Sequence, residues 1–156
     1  MFKHEEIKTV SMIWIFMMFS IFMYGFIVVI QSNNPKMMAQ ATDPDMYKML
    51  LTVLSLMSLV TGGLSIAARR FLLKEKYYTS FLKSSNSAKG IYTVSSIISF
   101  ALAETVAIYG LVLFFIGKNQ NIFFSLAFVS IALIVFNKPS VKEYEDFKRK
   151  YEEKII

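Results

Sequence analysis

The chain has 156 residues, enough for one domain; 55% of them are apolar, and it contains no cysteine. A soluble domain of this size has too much surface to hide that much apolar side chain. The missing cysteines exclude disulfides, Cys-based metal sites and a thiol nucleophile. The net charge of +6 comes from positives clustered beside the ends of apolar runs, which is membrane topology rather than a nucleic-acid surface.

In chain order, residues 1–9 are polar, and Val10 to Ile30 is the first expected span. That run is too long for a signal-peptide core, and no small-residue cleavage site follows it. Gln31 to Lys48 is a loop carrying Pro35, Pro44, Asp43 and Asp45. Met49 to Ala68 is the second span, ended by Arg69 and Arg70. Residues 69–90 form a polar connector; its first part, to Leu82, extends the helix in one reading, and SSNSAKG (84–90) breaks it. Ile91 to Ile116 is the third span, 117–121 a short turn, and Ile122 to Phe136 a fourth, short span. A bilayer core about 30 Å thick needs roughly 20 apolar helical residues, so the fourth span needs help from its flanks.

The tail, 139–156, reads as a cytoplasmic amphipathic helix. Ser140 and Glu143 have capping-box spacing. Val141, Tyr144, Phe147, Tyr151 and Ile155 recur at helical spacing, and Glu145–Arg149 and Asp146–Lys150 are i,i+4 pairs. Residues 140–156 therefore suit a cytoplasmic partner or the membrane surface, or serve simply as a solubilising tail.

The expected fold is an all-α polytopic membrane protein. A transmembrane domain, 1–138, holds four spans at about 10–30, 49–68, 91–116 and 122–136. Of 17 lysines and arginines, Lys36, Lys48 and Lys118 fall on one side of the spans and all others on the opposite side. The positive-inside rule puts both termini and the 69–90 connector in the cytoplasm, with a bacterial inner membrane as the expected setting.

Of 11 acidic residues, Glu104 alone lies deep within a span. A charged carboxylate there is costly, so lipid favours the neutral acid, and intramembrane acids mark function by default. The bland alternative is a hydrogen-bonded acid that only fixes packing. Ser96, Ser99, Ala103, Ala107 and Gly110 form a small-residue stripe on span three, and Ser55, Ser58, Gly62 and Ser65 one on span two. Such stripes predict a closely packed hairpin of the two spans. Two registers remain open. One sets Glu104 level with Ser55 and Ser58, the other level with Ala68 and Arg69.

The stretch from Ala88 to Phe115, AKGIYTVSSIISFALAETVAIYGLVLFF, resembles the second helix of the c subunit (proteolipid) of F- and V-type rotary ATPases. AlaLeuAlaGlu at 101–104 with IleTyrGlyLeuVal at 108–112 carries the likeness, and TGGLSIAA at 61–68 is similar to part of that family's first helix. The resemblance implies a c-like hairpin and a proton- or sodium-translocating subunit. Glu104 would be the ion-binding carboxylate, with Thr105, Tyr109 and the Leu102 carbonyl beside it. It implies no catalytic residue and no cofactor beyond the transported ion. Partners would be lipid, further copies of the chain or other membrane subunits. The alternative is a non-catalytic accessory protein packed against a larger membrane complex. Enzyme activity is not expected: the one histidine is His4, near the N-terminus, and no phosphate-binding glycine loop, zinc spacing or Ser/His/Asp set occurs.

Overall fold

A computed structural model describes residues 5–34, 43–74 and 87–153. These residues form five helices and no strand: α1 (Glu5–Ser32), α2 (Pro44–Leu72), α3 (Ala88–Gly117), α4 (Gln120–Phe136) and α5 (Val141–Glu152). The expected break at 84–86, the helical extension over 75–82 and the last residues of the tail lie outside the described residues. Within them, α2 ends at Leu72, and the Leu73 N–H closes on the Arg69 carbonyl.

The helix starts follow from side chains placed to satisfy otherwise orphaned N–H groups. Asp43 accepts from the Asp45 N–H at the head of α2, with Pro44 in the first turn. Ser87 accepts from the Gly90 N–H at α3, and Asn119 from the Asn121 N–H at α4. Lys118 turns α3 into α4 in the left-handed conformation, φ 55°. One expected start differs. Ser140 makes no side-chain cap bond, and Glu143 turns to the Arg69 guanidinium instead. A charge-assisted bond to a buried guanidinium is stronger than a bond to one backbone N–H, so the capping box does not form.

Helices α1, α2 and α3 have 28, 29 and 30 residues, about 42–45 Å each at 1.5 Å per residue. They are long and apolar enough to cross a membrane. Helix α4, with 17 residues, is shorter, and α5 bends away from it by 54°; taken as one broken element the pair makes a fourth candidate span. These are the apolar helices of an integral membrane protein. Their outer faces carry Phe16, Phe19, Phe22, Phe26, Leu59 and Phe128, all well exposed.

Helix α3 is the centre. In its most apolar stretch 44% of residues are buried, against 22% for α2 and 11% for α1. Helices α2 and α4 flank it, and α1 lies against both α3 and α4. The expected α2–α3 hairpin is present, with Ser65 and Ser99 hydroxyls each donating to the other's carbonyl, at 3.1 and 2.6 Å. The small-residue stripe of α3, however, serves two partners. At Ser99 it meets α2. Ala103 accepts from Ser130 of α4 at 2.6 Å, and Ala103 and Ala107 pack with Ile21 and Val28 of α1 and Phe123 and Ala127 of α4. A Cβ added at Gly110 would lie 3.0 Å from the Leu126 Cβ and 3.3 Å from the Phe123 backbone. Ala103, Ala107 and Gly110 are therefore contacts to α1 and α4, a consequence of α3 being enclosed. Gly62 is also shared, since a Cβ there would lie 3.2 Å from Leu133 of α4 and 4.0 Å from Val106 of α3.

The apolar face of α5 folds back on its own bundle. Tyr144 and Phe147 are buried with Ile7 and Val10 of α1 and Ala88, Ile91 and Tyr92 of α3. That face is covered within the chain, leaving the charged face outward. On it Arg149 pairs with Asp146 at i,i+3 spacing.

Gly110→Ala should lower stability by about 1–3 kcal/mol, because the facing backbone of α4 cannot yield. Gly63→Ala, where a Cβ meets nothing within 4 Å, should be neutral or stabilising. Thermal unfolding of the purified protein in detergent compares the two.

Candidate functional site

Two polar centres lie within the apolar bundle. The first is Glu104, half-buried near the middle of α3. Its Oε1 accepts from Ser20 Oγ at 2.5 Å and from Tyr24 OH at 2.8 Å. Ser20 and Tyr24 are four residues apart, so one face of α1 presents both hydroxyls. The Ser20 hydroxyl also lies 2.8 Å from the Met17 carbonyl, and its single proton serves one acceptor at a time.

These partners were not among those expected. The Ser65–Ser99 contact sets the antiparallel register and places Glu104 about level with Val60. That is near the first of the two registers, the one that sets Glu104 beside Ser55 and Ser58. Level is not contact, however. The Ser58 hydroxyl donates to its own helix at the Leu54 carbonyl, and Ser55 is half-buried on α2. The carboxyl of Glu104 turns to α1 instead. Both Nη atoms of Arg69 bond elsewhere, to Asn137, Tyr92 and Glu143, and no Glu104–Arg69 ion pair forms.

The residues implied by the family resemblance do not converge on the carboxyl. Thr105 donates to the Ala101 carbonyl at 2.8 Å. At about 100° per residue, Thr105 and Tyr109 lie roughly 100° and 140° around α3 from Glu104. Leu102 is half-buried, and its carbonyl runs along the helix axis as in any α-helix. Ser20 and Tyr24 were legible only as two hydroxyls spaced i,i+4 in an otherwise apolar span.

The second centre is Arg69, only 5% exposed, at the end of α2. Its Nη1 donates to the Asn137 carbonyl at 2.5 Å. Its Nη2 donates to Tyr92 OH at 2.5 Å and to Glu143 Oε2 at 2.7 Å. The guanidinium carbon also lies 5.1 Å from the Tyr92 ring centroid, within cation–π range. Asn137 continues the network, donating from Nδ2 to Ser65 Oγ at 3.1 Å and to the Leu133 carbonyl at 2.9 Å. Hydrogen bonds therefore run from Glu143 on α5 through Arg69, Asn137 and Ser65 to Ser99 on α3. A buried guanidinium is tolerated only with such pairing.

Trp14 adds a tie between α1 and α4. Its Nε1 donates to the Ile134 carbonyl at 2.9 Å, and the Lys138 ammonium lies 5.7 Å from its ring.

The class defined by this geometry is an all-helical integral membrane bundle with a hydroxyl-clamped acid at mid-helix and a buried arginine at one end. No protein-family model, curated protein or solved structure matches the chain.

Removing one partner of the Arg69 network should loosen α5. Glu143→Gln should cost about 1–2 kcal/mol, since the acid is 44% exposed, and should speed proteolysis within 141–152. Arg69→Met, which orphans three acceptors at once, should cost more, about 3–5 kcal/mol. Limited proteolysis and thermal unfolding read both.

Proposed function

We propose that this protein is a membrane ion-translocating subunit of the rotary-ATPase c type, in which Glu104 takes up and releases a proton. Sodium is the alternative ion. The observation that carries the reading is the pair of hydroxyls converging on one oxygen of a mid-span carboxyl. Hydroxyl donors to Oε1 suit both forms of the acid. They bond the carbonyl oxygen of the neutral group while Oε2 holds the proton, and they stabilise the carboxylate once the proton leaves. A group that must cycle between two forms in lipid needs both of them accommodated. In this reading the chain crosses the membrane four times. Both termini and the 69–90 connector lie in the cytoplasm, in a bacterial inner membrane, and copies of the chain or other membrane subunits assemble beside it.

A second reading is favoured by one specific observation. Helix α3 is enclosed by α1, α2 and α4, and the carboxyl faces α1 rather than open bilayer. Here Glu104 fastens α1 to α3, and the protein is a non-catalytic accessory subunit of a larger membrane complex. The exposed Phe side chains of α1 and α4 are then its lateral contacts.

Carbodiimide labelling in native membranes, mapped by mass spectrometry across pH, separates the two readings, because the reagent needs a protonated and reachable carboxyl. Under the ion-carrier reading Glu104 is labelled with a titration profile, sodium protects it if sodium is the ion, and Glu104→Gln removes the signal. Absence of labelling at every pH sinks the carrier reading and leaves the fastening role. Under that role, Ser20→Ala with Tyr24→Phe should free α1 and expose Glu104 to the reagent.

A further inference from the structure

The Arg69 end of the bundle holds a small cleft of about 180 Å³, where the ends of α2 and α4 meet the start of α5. Its polar wall is Arg69, Arg70, Asn137, Lys138 and Glu143. Three cations therefore face one carboxylate, and that carboxylate is already bonded to Arg69. Among the described residues Arg70 meets no carboxylate, and Lys138 has only the Trp14 ring. Arg69 itself is incompletely satisfied. Both Nη atoms have acceptors, but the buried Nε–H has none among the described residues. A guanidinium that is 95% withdrawn from water and still lacks an acceptor is unusual, because a buried donor left unpaired is costly.

One class of ligand answers all of these features. It is anionic, it offers several acceptor oxygens, and it is small enough for the cleft. Phosphate is such a group, and guanidinium recognises it through parallel N–H donors. The surroundings suit a headgroup. Ile66 and Phe136 line the same cleft on the side toward the apolar part of the helices, and Phe136 is 65% exposed. An acyl chain attached to a phosphate in the cleft has an apolar path past Phe136.

We propose that this cleft binds a phosphate oxyanion, held by Arg69, Arg70 and Lys138. The oxyanion is either the headgroup of an anionic phospholipid or a free phosphate. The site lies at the end of the bundle and does not involve Glu104, so it stands whatever Glu104 does.

The test uses the full chain in detergent after lipid depletion. Phosphatidylglycerol, phosphatidylcholine and inorganic phosphate are titrated separately, the last against chloride at equal ionic strength. Native mass spectrometry counts lipid adducts, and thermal unfolding reads stabilisation. Arg70→Gln with Lys138→Gln removes two cations outside the Arg69 hydrogen-bond network, so the fold should survive. Lys89→Gln with Lys150→Gln removes the same charge from exposed positions at the same end. A headgroup site predicts that phosphatidylglycerol stabilises the protein and phosphatidylcholine does not. It also predicts that the Arg70/Lys138 variant binds roughly tenfold more weakly while the Lys89/Lys150 variant binds as the parent does. The same pattern with inorganic phosphate, without lipid selectivity, assigns the site to free phosphate. Equal binding of both lipids with no response to phosphate overturns the proposal, as does an equal loss in the two variants.

Discussion

A polar group inside an apolar bundle has to find its partner in the bundle, because neither lipid nor the neighbouring Phe, Ile and Met side chains offer one. This constraint orders the structure from Arg69 outward. The guanidinium cannot stay in the interior without acceptors, and the acceptors come from three places. Tyr92 sits on α3, the Asn137 carbonyl at the end of α4, and Glu143 in the first turn of α5. Meeting them fixes where α2 ends, how α4 turns into α5, and why α5 folds back on the bundle. The apolar side of that turn is then closed by Tyr144 and Phe147 against α1 and α3.

The same constraint explains the crowding around α3. Three polar groups along that helix answer to three different neighbours: Ser99 to Ser65 of α2, the Ala103 carbonyl to Ser130 of α4, and Glu104 to Ser20 and Tyr24 of α1. Small residues on α3 let all three neighbours approach, so a stripe that would serve one interface in a hairpin serves several here. Dispersion between close-packed helices adds to these bonds, and Gly110 lets the backbone of α4 approach closely.

The two polar centres differ in what they can do. The Arg69 network is a chain of directed bonds tying four elements, and its charge is permanent. Glu104 meets two neutral hydroxyls, which can donate to either form of the acid. Ser99 and Glu104 are five positions apart, about 7.5 Å along α3, so the centres are stacked along one helix rather than merged. In the proposed function, proton exchange belongs to Glu104. The proposed oxyanion recognition belongs to the Arg69 end.

Much of this was legible in the sequence. The long apolar runs, their polar punctuation and the amphipathic tail are one-dimensional patterns, because a helix maps sequence spacing directly onto faces and lengths. Glu104 stood out for the same reason, as the one acid deep in an apolar run. The partners were not legible. A carboxyl on α3 can reach α1, α2 or α4 at the same depth, and only the rotation of α3 about its axis selects Ser20 and Tyr24 over Ser58. Likewise Glu143 has capping-box spacing, yet the fold brings a buried guanidinium within 2.7 Å, and the stronger bond wins. The sequence by itself determined where the apolar helices run and which residues do not belong in lipid, though Pro44 to Lys48, expected in the loop, begin α2. Tertiary structure alone decided who pairs with whom, because hydrogen bonds depend on distance and angle between elements far apart in the chain.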